Sequence, residues 1–195
     1  MPNWVYNKIK VKGNASDLIS LINLALRNSN AEEVSTDNAT TDTVMKAVDL
    51  LNEKGMFRCG DKELFSKEPA HIKEEKGIRL STFLPIPDTF LKFDTTNYEK
   101  EFADEARSQK KAYGVVGWYD YNCKYFGCKW DSDISIEYNG KRTITITTDT
   151  PWSPPSQFLI RLHKMFPNLD ISGSSHDECD DKPIKYKVED LMKIA

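Results

Sequence analysis

Residues 133–166 read as strand, tight turn, strand, proline-rich corner and helix without a gap, and no other stretch constrains the fold as strongly. Ile134, Ile136 and Tyr138 alternate with Ser135 and Glu137, Asn139-Gly140 supplies the turn, and Ile144 and Ile146 alternate with threonines on the return strand. Thr150-Pro151-Trp152-Ser153-Pro154-Pro155 then leads into a helix with Phe158, Leu159, Leu162, Met165 and Phe166 on one side.

The start of the chain has a similar pattern. Over Trp4–Lys12, Val5, Ile9 and Val11 fall on one parity and Lys8, Lys10 and Lys12 on the other, as in a half-buried strand. Gly13-Asn14 closes it, and Asn14 with Asp17 has the spacing of a helix N-cap and its third-position acid. The helix that follows carries Leu18, Ile19, Leu21, Ile22, Leu24, Ala25 and Leu26 and ends near Asn28.

The two halves are separated by a long excursion. Residues 29–43 are polar and read as a surface loop; a helix is expected at about 43–54 with Gly55 as its stop, and 56–75 carries mixed signals. Residues 78–83 read as a short strand, and Leu84-Pro85-Ile86-Pro87-Asp88 as extended chain. Residues 98–111 favour helix. Residues 113–130 hold Tyr113, Trp118, Tyr119, Tyr121, Tyr125, Phe126 and Trp130, spaced as in a helix wedged against a sheet and ended by Gly127. Beyond the last long helix, 169–173 reads as a strand, 174–181 as a loop, Ile184, Tyr186 and Val188 as an edge strand, and 188–195 as a helical turn.

Strand and helix, excursion, then hairpin, helix and strand is the order of an α+β, ferredoxin-like split βαβ, an antiparallel sheet backed by helices with a large insertion between its halves. The 195 residues fit one domain, 1–195, with the insertion at about 29–77 and the aromatic helical region at about 98–130. At Met1-Pro2-Asn3-Trp4 with Asn7 and Gly13, at Leu84-Pro85-Ile86-Pro87, at Gly127-Cys128-Lys129-Trp130-Asp131 and at Thr150-Pro151-Trp152-Ser153-Pro154-Pro155, the chain resembles the YubB ferredoxin-like family of plasmid and phage proteins. It departs from that family at Cys128, where a threonine is usual, and in the extra length of 29–77. The resemblance implies the fold and a mobile-element origin. It carries no established reaction, so it transfers no catalytic residue.

Formal net charge of −3 and a pI near 5.7 give no global pull toward phosphate backbones. No apolar run is long enough to span a membrane and no secretory signal opens the chain, so a cytoplasmic protein, in the host cell if phage-encoded, is expected. Cys123, Cys128, His176 and Cys179 are the candidate soft or imidazole metal ligands, and their spacing makes a poor clamp; the acid run Asp177, Glu178, Asp180 and Asp181 lacks the glycine and spacing of a calcium loop, so neither a metal nor a cofactor is expected. His71 and His163 lie in no catalytic motif, and no phosphate-binding or dinucleotide-binding loop is present, so an enzyme lacks positive support.

Two binding surfaces remain. Trp118, Tyr121, Tyr125, Lys129, Trp130 and Trp152 are the candidates for a ligand or protein partner, although Trp152 also reads as the staple of a helix start capped by Ser153 with Pro154 or Pro155 at its first position. Trp4, Tyr6, Lys8 and Lys10 are the candidates for single-stranded nucleic acid, with the return strand of the hairpin offering only Thr and Ile where a second stacking row would sit. The expectation is a non-enzymatic binding protein of a phage or plasmid acting on a host protein or a small ligand, with interference in host defence as its extension. The alternative is a single-stranded nucleic-acid-binding protein.

Overall fold

The computed structural model describes residues 2–61, 69–93 and 102–194. Its elements run β1 (Trp4–Lys12), α1 (Ala15–Asn28), α2 (Thr41–Lys54), β2 (Met56–Asp61), β3 (His71–Lys76), α3 (Leu80–Phe83), α4 (Asp88–Lys92), α5 (Ala103–Tyr113) and α6 (Gly117–Tyr125). They continue with β4 (Ser135–Tyr138), β5 (Thr143–Pro151), α7 (Ser156–Met165), β6 (Asp170–Asp177), β7 (Ile184–Lys187) and α8 (Val188–Ile194).

The main sheet has the order β4-β5-β1-β6-β7, every neighbouring pair antiparallel. β1 and β4 therefore run parallel with β5 inserted between them, which is the split βαβ; β6 closes the ferredoxin-like order and β7 adds an edge. On β1, Val5, Asn7, Ile9 and Val11 are buried and Tyr6, Lys8, Lys10 and Lys12 exposed, so one face is core and the other open. The core face is shared with the apolar sides of α1 and α7 and with Ile144, Ile146 and Ile171 of the flanking strands. Asn14 caps α1, its Oδ1 accepting from the Asp17 amide at 2.8 Å.

Polar groups at one end of the core face form a closed network around Asn7, 3% exposed. Its Nδ2 donates to the Val5 and Thr148 carbonyls and to Thr150 Oγ1 at 2.8–3.0 Å, and its Oδ1 accepts from Ser175 Oγ at 2.7 Å. Carbonyls can only accept, so this arrangement fixes which end of the amide is which. Gly173 belongs to the same end: a Cβ there would lie 2.9 Å from the Tyr186 hydroxyl, whose ring occupies the vacated space.

The structure amends several sequence expectations. Residues 78–83 do not form a strand: α3 is a short helix, with only a bridge between Arg79 and Asp133 before it. Its amides and carbonyls are held from afar, Asp131 accepting from Ser81 N at 2.9 Å and Ser81 Oγ at 2.5 Å while Asn28 donates to the Thr82 and Phe83 carbonyls. Within the mixed stretch after Gly55, β2 pairs with β3, and residues 62–68 of it lie outside the described residues. β6 runs on to Asp177 through residues expected to loop, because its serines serve the Asn7 network and the open face instead of an apolar core. The turn after β4 is wider than a two-residue hairpin: Tyr138 faces Ile144 across the sheet, and Gly140, Lys141 and Arg142 all have left-handed backbone. α6 is shorter than expected, and its packing partners are α4, α5 and α7 rather than the sheet. Of the helix expected at 98–111, residues 98–101 lie outside the described residues and α5 accounts for the rest.

Candidate functional site

In antiparallel pairs, residues directly opposite one another share a face, so register alone assigns the open side of the sheet. One row across it is Lys185, Ser174, Lys8, Thr147 and Ser135; the next is Lys187, Ser172, Lys10 and Glu137, with Thr145 of the same register buried and its Oγ1 accepting from Asn139 Nδ2; Asp170, Lys12 and Thr143 make a third. Toward the other end of β1, Tyr6 lies between His176 and Asp149. Lysines outnumber carboxylates on this surface although the chain as a whole is acidic.

Aromatic side chains gather where this face ends. Trp4, on the same parity as Tyr6, lies 6.0 Å from Trp130, and Trp130 lies 6.0 Å from Trp152. Lys129 Nζ sits 4.7 Å from the Trp152 ring centroid, 5.4 Å from that of Trp130 and 5.6 Å from that of Tyr119. Trp118 joins from behind, edge-on to Tyr119 at 6.0 Å. Trp152 is 50% exposed and has φ of 60°, a left-handed conformation that bulky side chains rarely adopt. The neighbouring backbone enforces it: Trp152 N donates to Asn3 O at 2.8 Å, Thr150 Oγ1 to Ser153 O at 2.7 Å and Ser153 Oγ to Gly127 O at 2.7 Å.

Ser153 therefore does not cap α7. The residue before the helix is Pro155, with no side-chain cap bond, and Trp152 points to solvent instead of stapling the helix entry. The facing segment is equally fixed. Gly127, at φ 88°, passes so close to the start of α7 that a Cβ would lie 2.9 Å from the Gln157 amide, and Asn122 Nδ2 donates to Lys129 O at 3.0 Å. Asp131, though partly exposed as a residue, turns its carboxylate onto Ser81, and desolvation there outweighs those hydrogen bonds and pushes its pKa up to about 6.

The candidates expected as one ligand surface are thus divided. Lys129, Trp130 and Trp152 converge at the corner with Trp4, whereas Tyr121 is buried against Phe90 at 4.4 Å and stacked on Tyr125 at 4.5 Å. Burial pushes the Tyr121 hydroxyl up to about 12, and Tyr125 donates to Tyr113 O at 3.0 Å. Trp4, Tyr6, Lys8 and Lys10 do share one surface. Lys185, Lys187, Ser172 and Ser174 were not singled out from sequence; the weak alternation at 184–188 was the available signal, and it could not say which strand the edge would join.

The cysteines are all free, with Cys128 buried beneath the corner and its thiol pushed up to about 12 by that burial. Among the described residues no group of three or more His, Cys, Asp or Glu could hold a metal ion, and no helix is long and apolar enough to cross a membrane.

No family model matches the chain, and no curated protein matches it. Among solved structures, the crystal structure of a protein api92 from Yersinia pseudotuberculosis, of the DUF1281 family, is similar over 97% of this chain and 96% of that one, at 12% identity and a TM-score of 0.38. A likeness that loose leaves function to be argued from the site.

Proposed function

We propose that this chain is a non-catalytic binding protein whose working surface is the open face of the main sheet, and that the surface takes single-stranded nucleic acid. The observation that carries this reading is the continuity of the lysine rows with the Trp4, Trp130 and Trp152 corner. A polyanion with flat rings is the ligand class that uses both halves: ammonium groups take phosphates, and indole faces take bases in any sequence.

Lys8, Lys10 and Lys12 recur along β1 at about 6.8 Å, two residues of strand rise, which suits the phosphates of an extended strand. Serine and threonine hydroxyls between the lysines can donate to phosphate oxygens or exchange hydrogen bonds with sugars. The missing stacking row on β5 is replaced by rings carried on the segments before β4 and after β5. The resemblance to plasmid and phage proteins implies a mobile-element setting, in which a single-strand binder or an antagonist of host defence would act.

Fluorescence anisotropy of labelled oligonucleotides across a salt series tests the assignment. Binding that weakens with salt and is lost in Lys8→Glu/Lys10→Glu is expected; absence of binding by the unaltered protein at low salt would reject it. A host protein or small ligand is the rival occupant, favoured by the exposed indole of Trp152 on an acidic chain. Pulldown from host lysate and native mass spectrometry, run with Trp152→Ala as the control, distinguish it.

A further inference from the structure

Lys129 is half-buried, and its ammonium makes no ion pair among the described residues; its neighbours are the faces of Trp152, Trp130 and Tyr119. A lysine left to its own entropy would extend into water. Here its main chain is tied by Asn122, and the glycine two residues before it is clamped by Ser153. The side chain lies between two segments, 127–131 and 150–153, that belong to different parts of the sequence and carry one indole each. Trp152 meanwhile occupies left-handed backbone, a conformation that the surrounding bonds maintain while leaving its ring half in solvent.

We infer that Lys129 is a positioning residue: its cation, held against the rings, fixes Trp130 and Trp152 as a preformed stacking platform for a nucleobase, and it makes no contact with phosphate. This rests on the reading of the open face as a single-strand site and adds a division of labour within it. Lys8, Lys10 and Lys12 supply the salt-dependent attraction, whereas Lys129 acts through the rings and so contributes nothing to counterion release. A platform held rigid before binding spares the ligand the cost of ordering two large side chains.

The test uses the full chain as unaltered protein, Lys129→Gln and Lys129→Arg, each titrated with a labelled single-stranded 12-mer and with inorganic polyphosphate, which has the charge but no bases. Acrylamide quenching of tryptophan emission is read on the same proteins without ligand. Lys129→Gln should weaken oligonucleotide binding about fivefold, leave the slope of log K against log salt unchanged, leave polyphosphate affinity unchanged and raise quenching. Lys129→Arg, which keeps a cation over the rings, should restore all of these. A parallel loss of polyphosphate affinity, or a slope smaller by about 0.7, would make Lys129 a phosphate ligand and overturn the inference. Unchanged quenching in Lys129→Gln would overturn it too. If the unaltered protein binds no oligonucleotide, the nucleic-acid assignment itself fails, and the quenching comparison still decides whether Lys129 orders the two indoles.

Discussion

The two faces of β1 are built from alternating residues of one nine-residue strand and obey opposite rules. On the inner face Val5, Ile9 and Val11 are dry, and the one polar side chain, Asn7, has both ends of its amide engaged by β5 and β6. On the outer face Tyr6, Lys8, Lys10 and Lys12 keep water on one side and have short hydroxyls, a few carboxylates and, beside Tyr6, His176 as cross-strand neighbours. A polar group inside must be satisfied by the fold, because an unpaired one costs about 1–3 kcal/mol. A charged group outside is under no such demand and remains available to a ligand. The lesson is that function on this sheet is written in the residues the fold does not need.

The comparison breaks most visibly at Asn7. Asn7→Ala strips partners from Ser175 and Thr150 inside the core, and a loss of about 3 kcal/mol is expected in urea unfolding. Lys8→Ala, one residue away on the other parity, should change stability by under about 0.5 kcal/mol. A loss at Asn7 no larger than at Lys8 would mean that the inner network is not what locks β1 to its neighbours.

Charge reversal sharpens the outer side. Lys8→Glu/Lys10→Glu should reduce oligonucleotide affinity at least about tenfold and flatten the salt dependence by about 1.4 in slope, at about 0.7 per phosphate contact on single strands. The urea midpoint should hardly move. A collapse of stability with a preserved salt slope would invert the roles assigned to the two faces.

The same inside and outside division recurs one residue apart at the corner, where Trp130 faces the platform and Asp131 turns inward to Ser81. Burial raises the folded carboxyl to about 6 from an ordinary value of 3.8, so between those limits the folded protein holds more protons than the unfolded chain. Stability must therefore fall as pH rises from 4 to 6 and level off above that. Carboxylates that are lowered in the folded chain, Glu33 beside Arg27, Glu53 beside Lys54, Glu75 beside Lys73 and Asp190 beside Lys193, act in the opposite sense, but their window closes at their ordinary values, 4.5 for the glutamates and 3.8 for Asp190, which leaves the upper part of the range to Asp131. With partial exposure discounting the effect, Asp131→Asn should gain on the order of 1 kcal/mol at pH 7 and remove the fall in stability between pH 4.5 and 6, because the amide oxygen still accepts from Ser81 N and the amide nitrogen can donate to Ser81 Oγ, reversing that bond. Melting temperatures across that range check it; a persisting slope would assign it to another group.

Sequence revealed what repeats locally and concealed what is held from a distance. Alternation gave β1, β4 and β5, helical spacing gave α1 and α7, and the Asn14 cap was legible from two residues. α3 was read as a strand because its helical turn is secured by Asp131 and Asn28, about 50 residues away in either direction, and no local pattern encodes that. The charged pair β2 and β3 bury too little to show periodicity. At the site, the lysines of β1 were visible, but the meeting of Trp4, Trp130 and Trp152 depends on a left-handed residue at 152 and a glycine approach at 127. Trp-Ser-Pro-Pro spells a helix start equally well, which is why Trp152 read as a staple.

The smallest effect tests the remaining local signal, the turn between β4 and β5. Asn139-Gly140 announces a tight turn, yet the chain continues in left-handed backbone through Lys141 at φ 49° and Arg142 at φ 58°. Neither side chain gains burial for the strain, since both are exposed at the far end of the open face from the tryptophan corner. Gly13 N donates to Arg142 O at 3.2 Å, so the loop is anchored through its backbone and does not require these side chains. Lys141→Gly should then stabilise the fold by about 0.5–1 kcal/mol, a rise of a few degrees in Tm, while oligonucleotide affinity falls by less than about threefold because one peripheral charge is lost. An affinity loss as large as that of Lys8→Glu/Lys10→Glu would extend the ligand path beyond Lys12 onto this turn, and the division between fold-making and ligand-bearing residues would have to be redrawn there.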